Sequence, residues 1–179
     1  MSEIKKINIV FKDPKDILNE KNSPKKRNIA KTAKWVKNIE NVSHENQINY
    51  IKELNRDNIQ NSDICNIIVQ QIKRKINGYH NQDVIKKILN EEKFVDLKYV
   101  IELLHKSNLQ CFYCRKPALV LYENVREMNQ WSLDRIENQY GHNKENVEIA
   151  CLSCNLGRKT MYHERYAFTK QLEIVKKDA

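Results

Sequence analysis

Two pairs of cysteines, each spaced Cys-x-x-Cys, limit the fold of this chain more than any other feature. The first pair is Cys111 and Cys114, and the second is Cys151 and Cys154. Thiolates two residues apart can curl around one ion in a tight turn, and two such turns complete a tetrahedral site of four sulfur ligands. The spacing predicts a structural zinc ion, Zn²⁺, held by all four. Two disulfides or four unrelated buried thiols are the alternatives.

The composition predicts a chain that is mostly helical and stays inside the cell. Only 3 Gly and 3 Pro occur in 179 residues, so few turns interrupt the pattern. The sequence contains no apolar run of about 18 residues, the minimum for a membrane span, and its polar start lacks the apolar region of a signal peptide. We therefore expect no membrane partner and an intracellular location, cytoplasmic or nuclear, where reduced cysteine pairs favour metal.

The charge balance favours a polyanionic partner. The chain carries 32 Lys and Arg against 23 Asp and Glu, a formal net charge of +9. Such an excess suits nucleic acid, although many soluble proteins are basic without binding it. Residues 21–38 contain no acidic residue, and Lys25, Lys26 and Arg27 lie within them. This stretch is predicted to be a phosphate-contacting arm; a nuclear address or a solvated tail would have the same composition.

Three regions follow from the local patterns. Residues 1–42 are expected to be a loosely ordered basic arm, in which the apolar residues near 7–11 could form a short strand or dock on the body. Residues 43–107 read as a helical region with a buried Cys65. Its helices are expected to start after the capping residues Ser43, Ser62, Asn81 and Asp96, and one of them is expected to end at Asn77-Gly78.

Residues 108–179 form the predicted zinc module. Its order is a cysteine knuckle, an apolar stretch at 118–122, a strand at 131–136, a polar loop, a strand at 147–151 and a helix. That last helix is expected to run from Cys154 through His163 to Tyr166. The fold class is therefore α+β, with a helical N-terminal region followed by a small mixed module that carries the zinc site.

The order of the module resembles a treble-clef zinc fold. Within it, Leu133-Asp-Arg-Ile136, Asn146-Val147 and Cys154-Asn155 resemble the HNH (His-Me finger) nuclease family, whose catalytic unit is a ββα-metal module. The resemblance covers roughly residues 108–168. It implies that Asp134 and Asn155 hold a catalytic divalent cation, Mg²⁺ or Mn²⁺. It also implies that Asn146 fixes the loop between the strands.

One departure from the family pattern concerns the general base. The family has a His directly after the Asp, whereas this chain has Arg135, which stays protonated and cannot accept a proton. Arg135 could instead clamp a phosphate by paired hydrogen bonds. His142 on the polar loop is the predicted base, with His163 as a weaker one. The structural alternatives are a salt bridge between Asp134 and Arg135 and an exposed loop position for His142.

The resemblance implies a metal-dependent HNH-type endonuclease that cleaves or nicks nucleic acid, with DNA as the expected substrate. Lys144, Arg158 and Lys159 lie close in sequence and are expected to contact the nucleic-acid backbone. The alternative is a zinc-stabilised nucleic-acid-binding protein whose HNH site is degenerate, which the Arg at position 135 favours. A third reading is a zinc-built module that binds another protein.

Overall fold

The structure is a computed structural model that describes residues 24–37, 43–56 and 62–172. It has a mixed α+β architecture in which the helices accompany one two-stranded sheet. The elements are α1 (Ala33–Lys37), α2 (His44–Asn55), α3 (Asp63–Ile85), α4 (Leu97–Lys106), β1 (Trp131–Arg135), β2 (Val147–Cys151), α5 (Leu152–Arg158) and α6 (His163–Gln171), with a short 3-10 helix at Ile29–Lys31. The apolar residues near 7–11 and the start of the predicted basic arm, at Lys21, lie outside the described residues.

Three helices begin at capping residues that the sequence predicts. Ser43 caps α2, Ser62 caps α3 and Asp96 caps α4, and each side chain accepts a hydrogen bond from the backbone N–H three residues later. These bonds satisfy donors that the first turn of a helix leaves unpaired. Val95 and Val100 are both buried on either side of the third cap, as expected of a hydrophobic staple.

Helix α3 is one continuous helix of 23 residues. The predicted end at Asn77-Gly78 and the predicted new start at Asn81 are therefore both wrong. A glycine inside a helix costs only about 1 kcal/mol relative to alanine. Beyond it, the last two turns of α3 bring Tyr79 and Asp83 into hydrogen bonds with the zinc module. Those tertiary contacts outweigh the local preference for a helix end.

Residues 24–37 pack against the body of the protein, which differs from the loosely ordered arm that the sequence predicts. Lys26 forms an antiparallel bridge with Asn124. Arg27 donates from its backbone N–H to a carbonyl of the same neighbouring segment. The side chain of Trp35 in α1 is only 1% exposed. A buried tryptophan of this size anchors the stretch by its apolar surface.

The two predicted strands are confirmed as an antiparallel pair whose register runs from Trp131 opposite Cys151 to Arg135 opposite Val147. Because strand side chains alternate, the sheet has two different faces. One face carries Trp131, Leu133, Val147 and Ile149 into the main apolar core. The other face turns Ser132 and Asp134 toward α5. The apolar stretch 118–122 forms an isolated bridge at Leu119 instead of a named strand.

The helix predicted from Cys154 through Tyr166 is in fact two helices, because the first one ends at Arg158. Lys159 has a φ angle of 52°, a left-handed conformation that does not continue a right-handed helix. Helix α6 then starts at His163 and returns Tyr166 toward α5. A β-carbon on Gly157 would lie 2.6 Å from the Tyr166 hydroxyl oxygen, so a larger residue there would require the Tyr166 side chain to shift.

The main core lies between the helical region and one face of the sheet, and a smaller cluster surrounds the four cysteines. The sheet therefore stands between the helical core and the metal end of the molecule. Within the described ranges, none of the helices combines the length and the apolar character needed to cross a membrane.

Candidate functional site

The four cysteines of the two pairs form one cluster. Their Sγ atoms all lie within 4.8 Å of one another, and those of Cys114 and Cys151 are 3.8 Å apart. A tetrahedral zinc site with Zn–S bonds of about 2.3 Å has sulfur–sulfur edges of about 3.8 Å. The four side chains therefore fit a zinc ion, and their predicted convergence is confirmed. Cys65 is buried separately, in the main core.

Both pairs lie where the backbone changes direction. A turn closes the first pair, because the carbonyl of Cys111 accepts a hydrogen bond of 3.0 Å from the N–H of Arg115. The second pair spans the junction from the end of β2 into α5. A hydrogen bond with Cys151 lowers the pKa of the Cys111 thiol, whereas burial raises the pKa of Cys154. Metal binding would therefore displace protons from this cluster.

A large basic cavity lies beside the sheet, with a volume of about 1130 Å³. Its walls come from residues 25–29, helix α3 and the zinc module. Among the described residues, Asp134 is the only acidic one in the lining, whereas nine lining residues are lysine or arginine: Lys25, Lys26, Arg27, Arg74, Lys75, Lys86, Arg126, Arg135 and Lys159. A concave surface with one sign of charge concentrates oppositely charged ligands. We call this cavity the basic groove.

Asp134 lines the basic groove but is engaged by its neighbours. The guanidinium of Arg158 donates to both of its carboxylate oxygens, at 2.5 and 3.0 Å, and the hydroxyl of Tyr113 donates to one of them at 2.5 Å. Asp134 is 5% exposed and Arg158 is 3% exposed. The carboxylate charge is therefore neutralised by the protein. This arrangement does not fit a Mg²⁺ site built on Asp134, since a cation would have to displace Arg158.

Asn155, the other predicted cation ligand, also lines the groove, from helix α5. Its side-chain NH₂ donates to the Ser132 hydroxyl at 3.1 Å and to the Leu133 carbonyl at 3.2 Å. These two bonds fix the amide plane against β1. The side-chain carbonyl oxygen is then the atom that could meet a cation or a water.

Arg135 points into the loop that follows β1 and lines the groove. Its guanidinium donates to the carbonyls of Asn138 and Tyr140, at 3.3 and 3.2 Å. It therefore does not pair with Asp134, which is held by Arg158 instead. The structural alternative, a salt bridge at this strand end, is present for Asp134, but its partner is Arg158 and not Arg135.

His142 is buried, not an exposed loop residue, and its ring reaches the groove. Its Nδ1 lies 2.9 Å from the carboxylate of Asp83 on α3, and its ring stacks on Tyr79 with centroids 4.4 Å apart. Within the described part of the chain, Nε2 makes no protein hydrogen bond and is not among the buried unpaired polar atoms. Because His142 lines the cavity and its Nδ1 is engaged by Asp83, we infer that Nε2 is the nitrogen that faces the groove.

Burial and neighbouring charges set the protonation of His142. Burial lowers its pKa below the ordinary value, and Arg135 and Lys86 lower it further, while Asp83 acts in the opposite direction. The net effect is a lowered pKa. A lowered pKa favours the neutral imidazole, which is the form that can accept a proton.

Asn146 ties the loop between the strands. Its side-chain oxygen accepts from the N–H of Glu137 at 3.0 Å, and its NH₂ donates to the carbonyls of Glu137 and Gly141 at 3.2 and 3.0 Å. Because Gly141 directly precedes His142, these bonds position the histidine. Asn146 itself does not line the groove in the described structure.

The residues predicted to contact the nucleic-acid backbone fall into two sets. Lys25, Lys26, Arg27 and Lys159 line the groove, although Lys26 pairs with Glu123 and the Arg27 guanidinium lies 4.0 Å over the Tyr122 ring. The other two residues lie elsewhere. Lys144 pairs with Asp96 at 2.6 Å. Arg158 is buried on Asp134, so it is not available to a phosphate.

Sequence reasoning missed three residues of the site: Tyr79, Asp83 and Tyr113. Tyr79 and Asp83 are four residues apart and so share one face of α3, which is the only local signal they give. Their partners lie more than fifty positions further along the chain. The weaker base candidate, His163, is not part of the groove lining and packs near Phe112.

Comparison of the chain with protein-family models, curated proteins and solved structures finds no match. The likeness to HNH nucleases therefore depends on the residues of the module alone. What the structure itself supports is a cluster of four cysteines that could hold a metal ion.

Proposed function

We propose that this chain is an HNH-type endonuclease that binds nucleic acid, with DNA as the expected substrate, in the basic groove and hydrolyses a phosphodiester bond there. The observation that carries the proposal is the position of His142. Its Nε2 faces a groove that nine lysine and arginine residues line. A neutral imidazole beside a phosphate-attracting surface is what base-assisted hydrolysis of a phosphodiester requires.

In this proposal the residues of the groove have separate roles in binding and in hydrolysis. Cations such as Lys159 and Arg74 bind the backbone and neutralise its charge. His142 accepts the proton of the attacking water. The cysteine cluster holds a structural zinc that fixes β2 against α5. A divalent cation, Mg²⁺ or Mn²⁺, would supply charge neutralisation at the leaving oxygen, and Asn155 is the predicted ligand whose carbonyl oxygen remains for it.

A second candidate function is binding of nucleic acid without cleavage. The buried pair of Asp134 with Arg158 favours it, because the carboxylate that the family uses for its metal is occupied. The two candidates share the basic groove and the zinc, and they differ only in turnover.

A cleavage assay separates the two candidates. Full-length protein purified with zinc is incubated with single-stranded, duplex and branched DNA and with RNA, in Mg²⁺ or Mn²⁺. We expect products from at least one substrate and none when the added Mg²⁺ or Mn²⁺ is omitted. Binding without products on every substrate would establish the second candidate.

A charge reversal tests whether the groove is the binding surface. Lys159→Glu removes a groove cation, and Lys98→Glu makes the same change at an exposed lysine of α4 outside the groove lining. We expect the dependence of log Kd on log salt to become shallower by about one unit or more for Lys159→Glu only. Equal slopes in the two variants would place binding elsewhere.

A further inference from the structure

Asp83 is a fully buried carboxylate whose two oxygens both go to one residue. One oxygen accepts from the backbone N–H of His142 at 2.6 Å, and the other lies 2.9 Å from Nδ1 of the same residue. Asp83 is 0% exposed. Burying an ionised carboxylate is costly unless it is hydrogen-bonded, so this pair is a demanding arrangement to build. It links α3 to a loop 59 positions further along the chain.

The loop approaches α3 as closely as its sequence permits. A β-carbon on Gly141 would lie 2.7 Å from an Asp83 oxygen and 2.8 Å from the carbonyl oxygen of Ile88. Any larger residue would push the turn away from the carboxylate. The carbonyl of His142 also accepts a hydrogen bond of 3.0 Å from the N–H of Val95. The backbone at 141–142 is therefore held from two sides.

Tyr79, one turn before Asp83, fixes the ring itself. It stacks on His142 with an interplanar angle of 28°, and its hydroxyl oxygen accepts a hydrogen bond of 3.0 Å from the N–H of Leu133 in β1. Helix α3 thus controls both the plane of the imidazole and the partner of its Nδ1. The ring has no second orientation that keeps these contacts.

We propose that Asp83 is a positioning residue of the cleavage site, which holds His142 with its proton on Nδ1 so that Nε2 faces the groove as an acceptor. The inference rests on the proposed function for its chemistry. It assigns the helical region, residues 43–107, a part in the reaction, because α3 supplies the group that orients the base.

The step that Asp83 supports is proton transfer from water. The attacking water gives one proton to Nε2 of His142 while its oxygen forms the new bond to phosphorus. The bond from phosphorus to the leaving oxygen breaks, and that oxygen keeps the electron pair and takes a proton from solvent. His142 becomes an imidazolium, which the adjacent Asp83 carboxylate stabilises.

Asp83→Asn in the full chain separates positioning from packing. The His142 backbone N–H is a fixed donor, so the Asn oxygen must accept from it and the Asn NH₂ then faces Nδ1. That reverses the tautomer and places the ring proton on Nε2. We expect the single-turnover cleavage rate to fall by about 100- to 10,000-fold with unchanged DNA affinity. Asp63→Asn, the same change at an exposed position of α3, is the matched control.

Nitrogen-15 NMR of the histidine ring gives a readout that does not depend on cleavage. The groups that act on His142 are Asp83 from α3, Lys86 directly after α3 and Arg135 from β1, while Tyr79 stacks on its ring and the Val95 N–H donates a hydrogen bond to its carbonyl. We expect the parent His142 to carry its proton on Nδ1. In Asp83→Asn the proton moves to Nε2 and the titration shifts to lower pH, because the charge that raises the pKa is removed.

The outcomes are distinct. A parent His142 protonated on Nε2 overturns the inference even if Asp83→Asn fails to fold. So does a variant whose tautomer, titration and cleavage rate match the parent. If the tautomer reverses as expected but the parent cleaves no substrate, the proposed endonuclease function fails while the control of His142 by Asp83 stands.

Discussion

The helical end and the metal end of the molecule are stabilised by different interactions. The helical end has a large apolar core in which Ile68, Ile72 and Leu104 are fully buried. The metal end has a small cluster in which three of the six buried residues are the cysteines Cys111, Cys151 and Cys154. Apolar burial can stabilise the first end without help, whereas the second has too little apolar surface for that. We therefore expect the folding of the metal end to depend on a metal ion bound by its cysteines.

Metal removal should therefore have the largest effect, and only at one end. Structural zinc contributes about 10–16 kcal/mol of apparent binding free energy in zinc-finger peptides. We expect chelation or Cys154→Ser to abolish protection from hydrogen exchange in α5 and α6 while α3 and α4 keep theirs. Cys65→Ser, at a buried cysteine outside the cluster, is the control, and its zinc content should equal that of the parent. Uniform loss of protection along the chain would contradict the comparison.

Breaking the buried ion pair of Asp134 with Arg158, which lies between the two ends, should have the next largest effect on stability. Asp134→Ala leaves the Arg158 guanidinium buried without its partner, which typically costs about 3–5 kcal/mol. Urea unfolding measures this loss. Because a well-packed apolar replacement of both partners is often neutral, Asp134→Ala with Arg158→Met should recover most of it. If the double variant is no more stable than Asp134→Ala, the pair does not act as a unit.

A substitution that creates a cavity in the helical core tests whether the helical end can be destabilised without affecting the zinc site. Ile72 is 0% exposed, and its truncation in Ile72→Ala should lower the free energy of unfolding by about 2–5 kcal/mol. Zinc content should stay unchanged, since the cysteine cluster lies across the sheet. Val36→Ala, at a residue that is 55% exposed, should change stability by no more than about 0.5 kcal/mol. Zinc loss from Ile72→Ala would mean that the ends are not separable.

The smallest expected effect is a pH dependence at the helical end. Burial lowers the pKa of Lys75 to about 7, and Arg27 adds to the shift. Its pKa in the unfolded chain is about 10.4, so between these values the unfolded state binds more protons and stability rises with pH. Lys75→Met should flatten that rise between about pH 7 and pH 8.5, below the range in which tyrosines titrate. An equal slope in the parent and in Lys75→Met would refute the assignment of this pH dependence to Lys75.

What the sequence predicts well is local. The cysteine spacing and the helix caps at Ser43, Ser62 and Asp96 each depend on residues within one turn of chain, so short motifs suffice. The two strands also follow from alternation over a few residues.

What the sequence does not predict is the pairing between distant segments. Asn77-Gly78 looks like a helix end, and the contacts of Tyr79 with Leu133 and of Asp83 with His142 explain why α3 continues past it. Asp134 and Arg158 are likewise separated by 24 positions. Nothing in either segment specifies that this arginine, and not Arg135, takes the carboxylate. Such choices depend on how the sheet and α5 pack, which a motif does not encode.

The most direct test of the proposed function is the single-turnover cleavage rate of His142→Ala. With DNA affinity unchanged, we expect the rate to fall by about 100- to 10,000-fold, the usual contribution of a general base. His105→Ala, at a histidine outside the groove lining, should cleave like the parent. A His142→Ala protein that cuts at the parent rate would contradict the assignment of His142, and a parent that cuts no nucleic acid would leave binding alone as the function of the groove.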